Sequence, residues 1–316
     1  TKCVNQKEIF LHLASSAKCV NHHFFDLKRQ EMQYTPVIII GAPRSGTNML
    51  RDVLASLPGV ATWPCDEINS IWRHGNVRYP SDEFIPDMAR PEVCNYIRKQ
   101  FDWVSRKYKA QTVVEKTCAN SLRMGFVDQV VPEAKFIFIR RDGLDAVGSA
   151  IKRWKAELDI PYLARKARFV PASDLPYYAS RFLWNRIYRI FSRDERLAFW
   201  GPKLDNMAEL LHKYPLGEVC ALQWKQCVDK AALAFDKMEP ERWIELAYED
   251  FVTKPEARLK EILKFLNINA REDLITKAVG RVSPRSIGKG REQFGKEDSD
   301  RLGQLMEKTL GRCGYV

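Results

Sequence analysis

The residues able to do chemistry stand at the ends of short apolar runs. Val37-Ile38-Ile39-Ile40 leads into Gly41-Ala42-Pro43-Arg44-Ser45-Gly46-Thr47-Asn48. Thr112-Val113-Val114 leads into Glu115-Lys116, and Phe136-Ile137-Phe138-Ile139 into Arg140-Arg141-Asp142-Gly143. Runs of this kind predict buried parallel strands. After the first run glycine and proline turn the chain, and Met49, Leu50, Val53, Leu54 and Leu57 take up helical spacing from Gly46 or Thr47. Strand, turn and helix N-terminus then aim backbone N–H groups and the positive helix end at one point, a seat for phosphate or sulfate. Arg44 adds a cation inside that loop. Arg140 and Arg141, with Ser149 and Arg153 along the next helix, form a second anion site suited to a terminal phosphate.

Carboxylates enter from another strand end. Val60-Ala61-Thr62-Trp63 reads as a short strand and runs into Pro64-Cys65-Asp66-Glu67. Ligands of open α/β sheets bind at the carboxyl ends of strands, so Asp66 and Glu67 border the cradle, as does Lys116. A carboxylate beside an anion is a liability unless it has a task. The spacing of Gly41 and Gly46 matches a nucleotide-binding P-loop, but that motif continues with Lys and then Ser or Thr. Here Thr47 follows Gly46 directly, and the strand that would end in a magnesium-holding acid ends in two arginines. The pattern favours a phosphate cradle and argues against metal-dependent ATP hydrolysis of the usual kind.

The elements that must hold these residues follow from periodicity. Helices are predicted over residues 6–32, where His22-His23 reads as a surface pair, and over 91–109, 120–131, 218–236 and 298–311. A helix follows Gly143, Trp243 to Leu246 forms a strand ahead of Tyr248-Glu249-Asp250, and Leu259, Ile262, Leu263 and Leu266 mark another helix. Residues 154–200 are rich in aromatics with arginines and lysines between them. Trp184, Ile187, Tyr188 and Phe191 keep helical spacing, which assigns many of these rings to packing and leaves others for a lid or an acceptor groove. Residues 282–291 are basic and glycine-rich without periodicity, and read as a mobile anion-covering loop or a plain linker. The expectation is one α/β domain with a P-loop-like parallel sheet flanked by helices. It carries a helical N-terminal segment of about 1–34 and a helical, aromatic-rich insertion of about 155–215.

Of 316 residues, 45% are hydrophobic and 29% charged, ordinary values for a globular protein. No stretch approaches the length of a membrane span. A net charge of +11 implies an anionic partner. Eight scattered cysteines show no metal-finger spacing and suggest reduced thiols and a cytoplasmic setting. The absent start methionine keeps open a luminal domain trimmed from a membrane-anchored enzyme. Cys65 and Cys118 each lie two residues or fewer from a candidate site residue, and whether they pair is open.

Taken in order from about residue 36 to 291, these motifs resemble the sulfotransferases that use 3′-phosphoadenosine 5′-phosphosulfate (PAPS), especially the tyrosylprotein and bacterial carbohydrate branches. Gly41 to Thr47 looks like that family's 5′-phosphosulfate loop, which implies donor contacts from Pro43, Arg44, Ser45, Gly46, Thr47 and Asn48. Phe136 to Ser149 looks like its 3′-phosphate site, which implies that role for Arg141 and Ser149. Tyr248 resembles the tyrosine near the nucleotide, and Lys289-Gly290-Arg291 is partly similar to the late basic loop that closes over it. By position Glu67 resembles the glutamate base of the tyrosylprotein branch, with Asp66 and His74 as rivals. Lys116 and Arg44 are then the cations at the leaving group. The resemblance implies PAPS as donor, its desulfated product PAP, no metal and no nucleic acid. It also implies a hydroxylated acceptor, a saccharide foremost or a peptide tyrosine. A P-loop kinase of small hydroxyl compounds and a non-catalytic polyanion-binding module are the rival functions, and oligomeric state is open.

Overall fold

A computed structural model describes residues 32–156, 164, 166–191 and 199–315. The helix expected over 6–32, with His22-His23, lies outside the described residues. Five parallel strands form the centre: β1 (Thr35–Ile40), β2 (Val60–Ala61), β3 (Thr112–Lys116), β4 (Lys135–Arg140) and β5 (Trp243–Ala247). Their order is β2-β3-β1-β4-β5. Val37 to Ile40 are fully buried, as a strand covered on both faces by helices requires. Register sets the carboxyl edge: Ile39 lies beside Lys116, Ile40 beside Phe138, and Arg140 beside Ala247. The chemistry-bearing residues therefore leave the sheet along one edge, and the α/β class expected from the sequence is the one observed.

The helices follow their apolar stripes. In chain order they are α1 (Thr47–Ala55), the single turn α2 (Asn69–Trp72), α3 (Pro91–Tyr108), α4 (Met124–Val130) and α5 (Gly143–Trp154). Then come α6 (Leu175–Phe191), α7 (Met207–Lys213), α8 (Leu216–Phe235), α9 (Tyr248–Thr253), α10 (Pro255–Leu266), α11 (Glu272–Val279) and α12 (Lys296–Arg312). Proline opens α3 and α10, where its missing N–H costs no helical bond. One side of the sheet packs α1, α9, α10 and α11 through Leu50, Phe251, Leu259, Ile262 and Ile275. On the other side α8 lies against α5 and α12.

Three expectations change. The strand predicted over Val60–Trp63 is only Val60–Ala61. The helix predicted over 120–131 is a 3-10 turn (Cys118–Leu122) followed by α4, broken at Arg123. The break has a polar cause: Asn120 donates to buried Glu115 at 3.0 Å and accepts from Arg123 at 2.9 Å. Third, four apolar side chains of α6 stand open: Trp184 is 62% exposed and Phe191 81%, with Leu183 and Ile187 beside them. Aromatics of this stretch that pack include Tyr177 against Tyr178 at the start of α6 and, beyond its end, Phe199 and Trp200, which meet the buried Trp154 edge-on.

Beneath the carboxyl edge Glu115 is wholly buried. It accepts from the Thr117 hydroxyl at 2.6 Å, and Thr117 in turn accepts the Ile68 N–H at 3.3 Å. Burial pushes the Glu115 carboxyl up to about 7, against the opposing pull of Thr117, Lys116 and Arg123. Its folded pKa is raised above the unfolded value, so the stability it lends is full at low pH and lost as pH rises through about 7. Glu115→Gln is expected to flatten the fall in thermal stability between mildly acidic and neutral pH, a slope worth about 3 kcal/mol at most. A wild-type slope that survives the substitution contradicts this. Separately, Gly46 has φ +87°, and a Cβ there would stand 2.4 Å from the Tyr248 ring. Gly46→Ala is expected to cost about 2–4 kcal/mol, read as a lowered melting temperature; an unchanged one would show that the turn and ring can shift freely.

Candidate active site

The loop from Gly41 to Thr47 reverses the chain between β1 and α1 through two left-handed residues, Arg44 (φ 70°) and Gly46 (φ 87°). Its crossing is tight: a Cβ on Gly41 would meet the Ile139 carbonyl at 2.6 Å. The Ser45 N–H donates to Ala42, and the Leu50 N–H donates to Gly46 as the first turn of α1 closes. As at every helix start, the N–H groups ahead of that bond point out of the turn. Ser45 and Thr47 are buried and Asn48 half-buried, and Pro43 packs inside the turn. Two donors here, Ser45 Oγ and Arg141 Nε, are buried with no hydrogen-bond partner among the described residues. Orphaned donors around a positive helix end fit a bound anion.

Arg141 joins this loop to the rest of the site. Its guanidinium donates to the Arg44 carbonyl at 3.0 Å and to the Ser286 carbonyl at 2.6 Å, and lies 4.4 Å above the Tyr248 ring. Arg44 Nε donates to Ser149 Oγ at 2.9 Å. Arg44, Arg141, Ser149 and Tyr248, distant in sequence, thus form one wall. Desolvation, Arg153 and Arg141 lower the pKa of Arg44, partly offset by Asp66. A cluster of guanidiniums that repel one another gains from a polyanion. Arg140 does not join it. It pairs with Glu245 at 2.7 Å, donates to the Cys313 carbonyl and lies against the Tyr315 ring, so it ties the C-terminal segment to β4. Only one of the two adjacent arginines faces the site: Arg140 ends β4 beside Ala247, and Arg141 follows it in the turn that leads into α5.

The carboxylate wall lies at the ends of β2 and β3. Lys116 Nζ is 2.9 Å from Glu67 Oε1 and 3.5 Å from Asp66 Oδ1. Glu67 also accepts the Cys118 N–H at 3.3 Å. Burial alone would raise the Glu67 carboxyl, but Lys116 and Lys166 outweigh it with the two hydrogen bonds, and it stands far below the usual carboxylate range. Lys116, buried except for 2% of its side chain, is pushed up by Glu67 despite its desolvation. Asp66 is held by Arg51, which reaches its carboxylate at 3.1 Å and its carbonyl at 2.7 Å. His74 is engaged elsewhere, 2.9 Å from Asp174 and against the Tyr96 ring. Cys65 and Cys118 are free thiols, and Cys118 Sγ sits 3.7 Å from the Thr47 hydroxyl, where the two walls meet.

The late segment is placed against α5. The Gly288, Gly290 and Arg291 N–H groups donate to the Asp145 carboxylate at 2.7, 2.8 and 3.1 Å, and Arg291 pairs with Asp142 at 2.7 Å. Lys289 is exposed. Sequence reasoning missed Asp142 and Asp145, which read as an ordinary cap and first-turn acid; Asp142 does cap α5 by accepting the Asp145 N–H. It also missed Arg51, Thr117 and Lys166, whose contacts with Asp66, Ile68 and Glu67 join stretches far apart in sequence. No group of three or more metal-ligating side chains forms among the described residues.

No relative among curated proteins matches the chain. By structure it is similar to the sulfotransferase domain from the curacin biosynthetic pathway, at 14% identity and a TM-score of 0.51 over 90% of this chain and 99% of that one. It is equally similar to the sulfotransferase domain of the Synechococcus PCC 7002 olefin synthase, at 14% identity and 0.50, over 89% and 97%. At these identities the likeness shows the fold. Mouse sulfotransferase SULT7A1, solved in complex with PAP, aligns at 14% identity and 0.48 over 90% of each chain. The description of the sulfotransferase family matches residues 36–182 and 185–273, more than half the chain and all the strand ends described above. The chain belongs to the sulfotransferase family.

Proposed function

We propose that the chain moves the sulfuryl group of PAPS to a hydroxyl of an organic acceptor, a saccharide foremost, with Glu67 as base. The observation that carries this reading is the ion pair of Lys116 with Glu67 at 2.9 Å, beside an anion cradle with orphaned donors. In the proposal the loop from Pro43 to Asn48 holds the 5′ end of the donor. Arg141, Ser149 and the Lys289-Gly290-Arg291 segment hold its 3′-phosphate, and Tyr248 backs the loop. An exposed aromatic face on α6, in an insertion whose Asp174 contacts His74 just past α2, supports a sugar acceptor.

The roles follow from charge. An acceptor oxygen forms a new S–O bond as the S–O bond to the 5′-phosphate breaks, so one side loses a proton and the other gains charge. Glu67 takes the proton. Lys116 and Arg44 hold the negative charge gathering on the phosphate oxygen. Positioning does the remainder, because this in-line transfer needs little covalent help from the protein. A carboxylate held by an ammonium is a weak base. An anion bound beside Lys116 shares that ammonium, which raises the Glu67 pKa toward a useful range.

Transfer of labelled sulfate from PAPS to a panel of saccharides and tyrosine peptides tests the reaction. Glu67→Gln is expected to lower kcat by about 10²- to 10⁴-fold, the usual scale for a lost general base, with PAP binding retained. Undiminished turnover would remove Glu67 from the role. Magnesium-dependent ATP turnover without sulfate transfer would favour the kinase instead. The pH profiles give a second test, because kcat/KM reports the free enzyme and kcat the complex. Glu67 is depressed in the free protein, so the acid limb of kcat is expected at higher pH than that of kcat/KM; coincident limbs would contradict the sharing of Lys116.

A further inference from the structure

The basic, glycine-rich stretch 282–291 ends in the segment 288–291. It is docked on α5 by a buried carboxylate. Asp145, 2% exposed, spends both its oxygens on this segment: Oδ2 accepts the Gly288 N–H, and Oδ1 accepts those of Gly290 and Arg291. Arg141 lies 3.5 Å from the same carboxylate and holds the Ser286 carbonyl just upstream. A second contact permits the docking. Gly148, one turn along α5 on the same side, faces Gly290 so closely that a Cβ on Gly148 would stand 2.4 Å from the Gly290 carbonyl oxygen. A Cβ on Gly290 would stand 2.2 Å from the Asp145 carbonyl. Backbone meets backbone there, with no room for a side chain on either strand of the contact.

From this geometry we propose that Asp145 is a positioning residue: it latches the Gly288–Arg291 segment onto α5 before any donor arrives, so that the 3′-phosphate half of the site is preassembled. The inference rests on the donor reading above for what the segment binds, though not for the latch itself. The Asp145 charge is spent on three N–H groups and one guanidinium. It therefore orients Arg141 and the Lys289-Arg291 backbone without presenting a bare negative charge to a phosphate. Ordering the segment in advance removes that entropy cost from binding, and the gain falls on the 3′-phosphate.

Two variants release the latch by different means. Asp145→Asn removes the charge that holds the N–H groups. Gly148→Ala leaves the Asp145, Arg141 and Ser149 side chains unchanged and pushes the segment away sterically, while improving the helix propensity of α5. The first readout needs no nucleotide: trypsin cleavage after Arg285, Lys289 and Arg291, each exposed and inside or beside the segment. Both folded variants are expected to be cut there about tenfold faster than wild type, as local opening becomes easier. The second readout is the ratio of affinities for PAP and for adenosine 5′-phosphate, which lacks the 3′-phosphate. That ratio is expected to fall about tenfold in both variants, the loss expected when charge-assisted hydrogen bonds are misplaced. In turnover the loss should appear in KM for the donor more than in kcat. Wild-type cleavage rates and a wild-type affinity ratio in both variants would overturn the proposal. So would tighter PAP binding by Asp145→Asn, which would make Asp145 a stand-in that the phosphate displaces. If wild type ignores PAP, the donor reading falls, and the cleavage rates still decide whether the latch exists.

Discussion

A lysine ammonium buried at the end of a strand needs a partner, and the site is arranged around that need. Lys116 leaves β3 with nearly all of its side chain out of water, and its charge goes to Glu67 and, at longer range, Asp66. Removing a partner from such a charge costs about 3–5 kcal/mol, so the acid loop after β2 is held at the sheet edge by electrostatics as well as by packing. The Thr117 hydroxyl adds a second hold on the same loop by accepting the Ile68 N–H. The same ion pair that keeps the loop in place also keeps Glu67 ionised and weak as a base. In the proposed reaction, structure and reactivity are set by one contact, and an arriving anion changes both.

Topology explains why the cations and the carboxylates meet. With β1 between β3 and β4, the anion loop after β1 has Lys116 on one side and the Arg141 turn on the other. Tyr248 enters from β5, one strand further out, and its ring closes the floor under Gly46 and Arg141. The positive helix end, the orphaned donors and the mutually repelling guanidiniums act at one edge of the sheet, where the burial of Ser45 and Arg141 strengthens their pull on an anion.

What could be read beforehand was local. The β1 loop announced itself through a buried run, a glycine turn and a helical stripe in consecutive residues. Lys116 and Arg141 were visible because each ends such a run, Ser149 because it lies along the helix that follows, and the family resemblance added Tyr248. What escaped depends on register or on distant partners. Nothing in Arg140-Arg141 says which guanidinium turns to the loop; pairing of β4 with β5 and the arrival of Tyr315 decide it. Asp145 had the ordinary look of a first-turn helix acid, and the N–H groups it holds lie 143 to 146 residues away. The α6 stripe shows the converse error: helical spacing of Trp184, Ile187 and Phe191 reported a face correctly and said nothing of whether it is covered.

The central claim is that Lys116 is shared, held by Glu67 before the donor arrives and drawn partly to the donor afterwards. The most direct measurement is the titration of the Glu67 side-chain carboxyl by carbon-detected NMR, without and with saturating PAP. The account predicts a Glu67 pKa far below the usual carboxylate range in the free protein and a clear rise when PAP is bound. A Glu67 that titrates normally in the free protein, or whose pKa does not move on saturation, would contradict it.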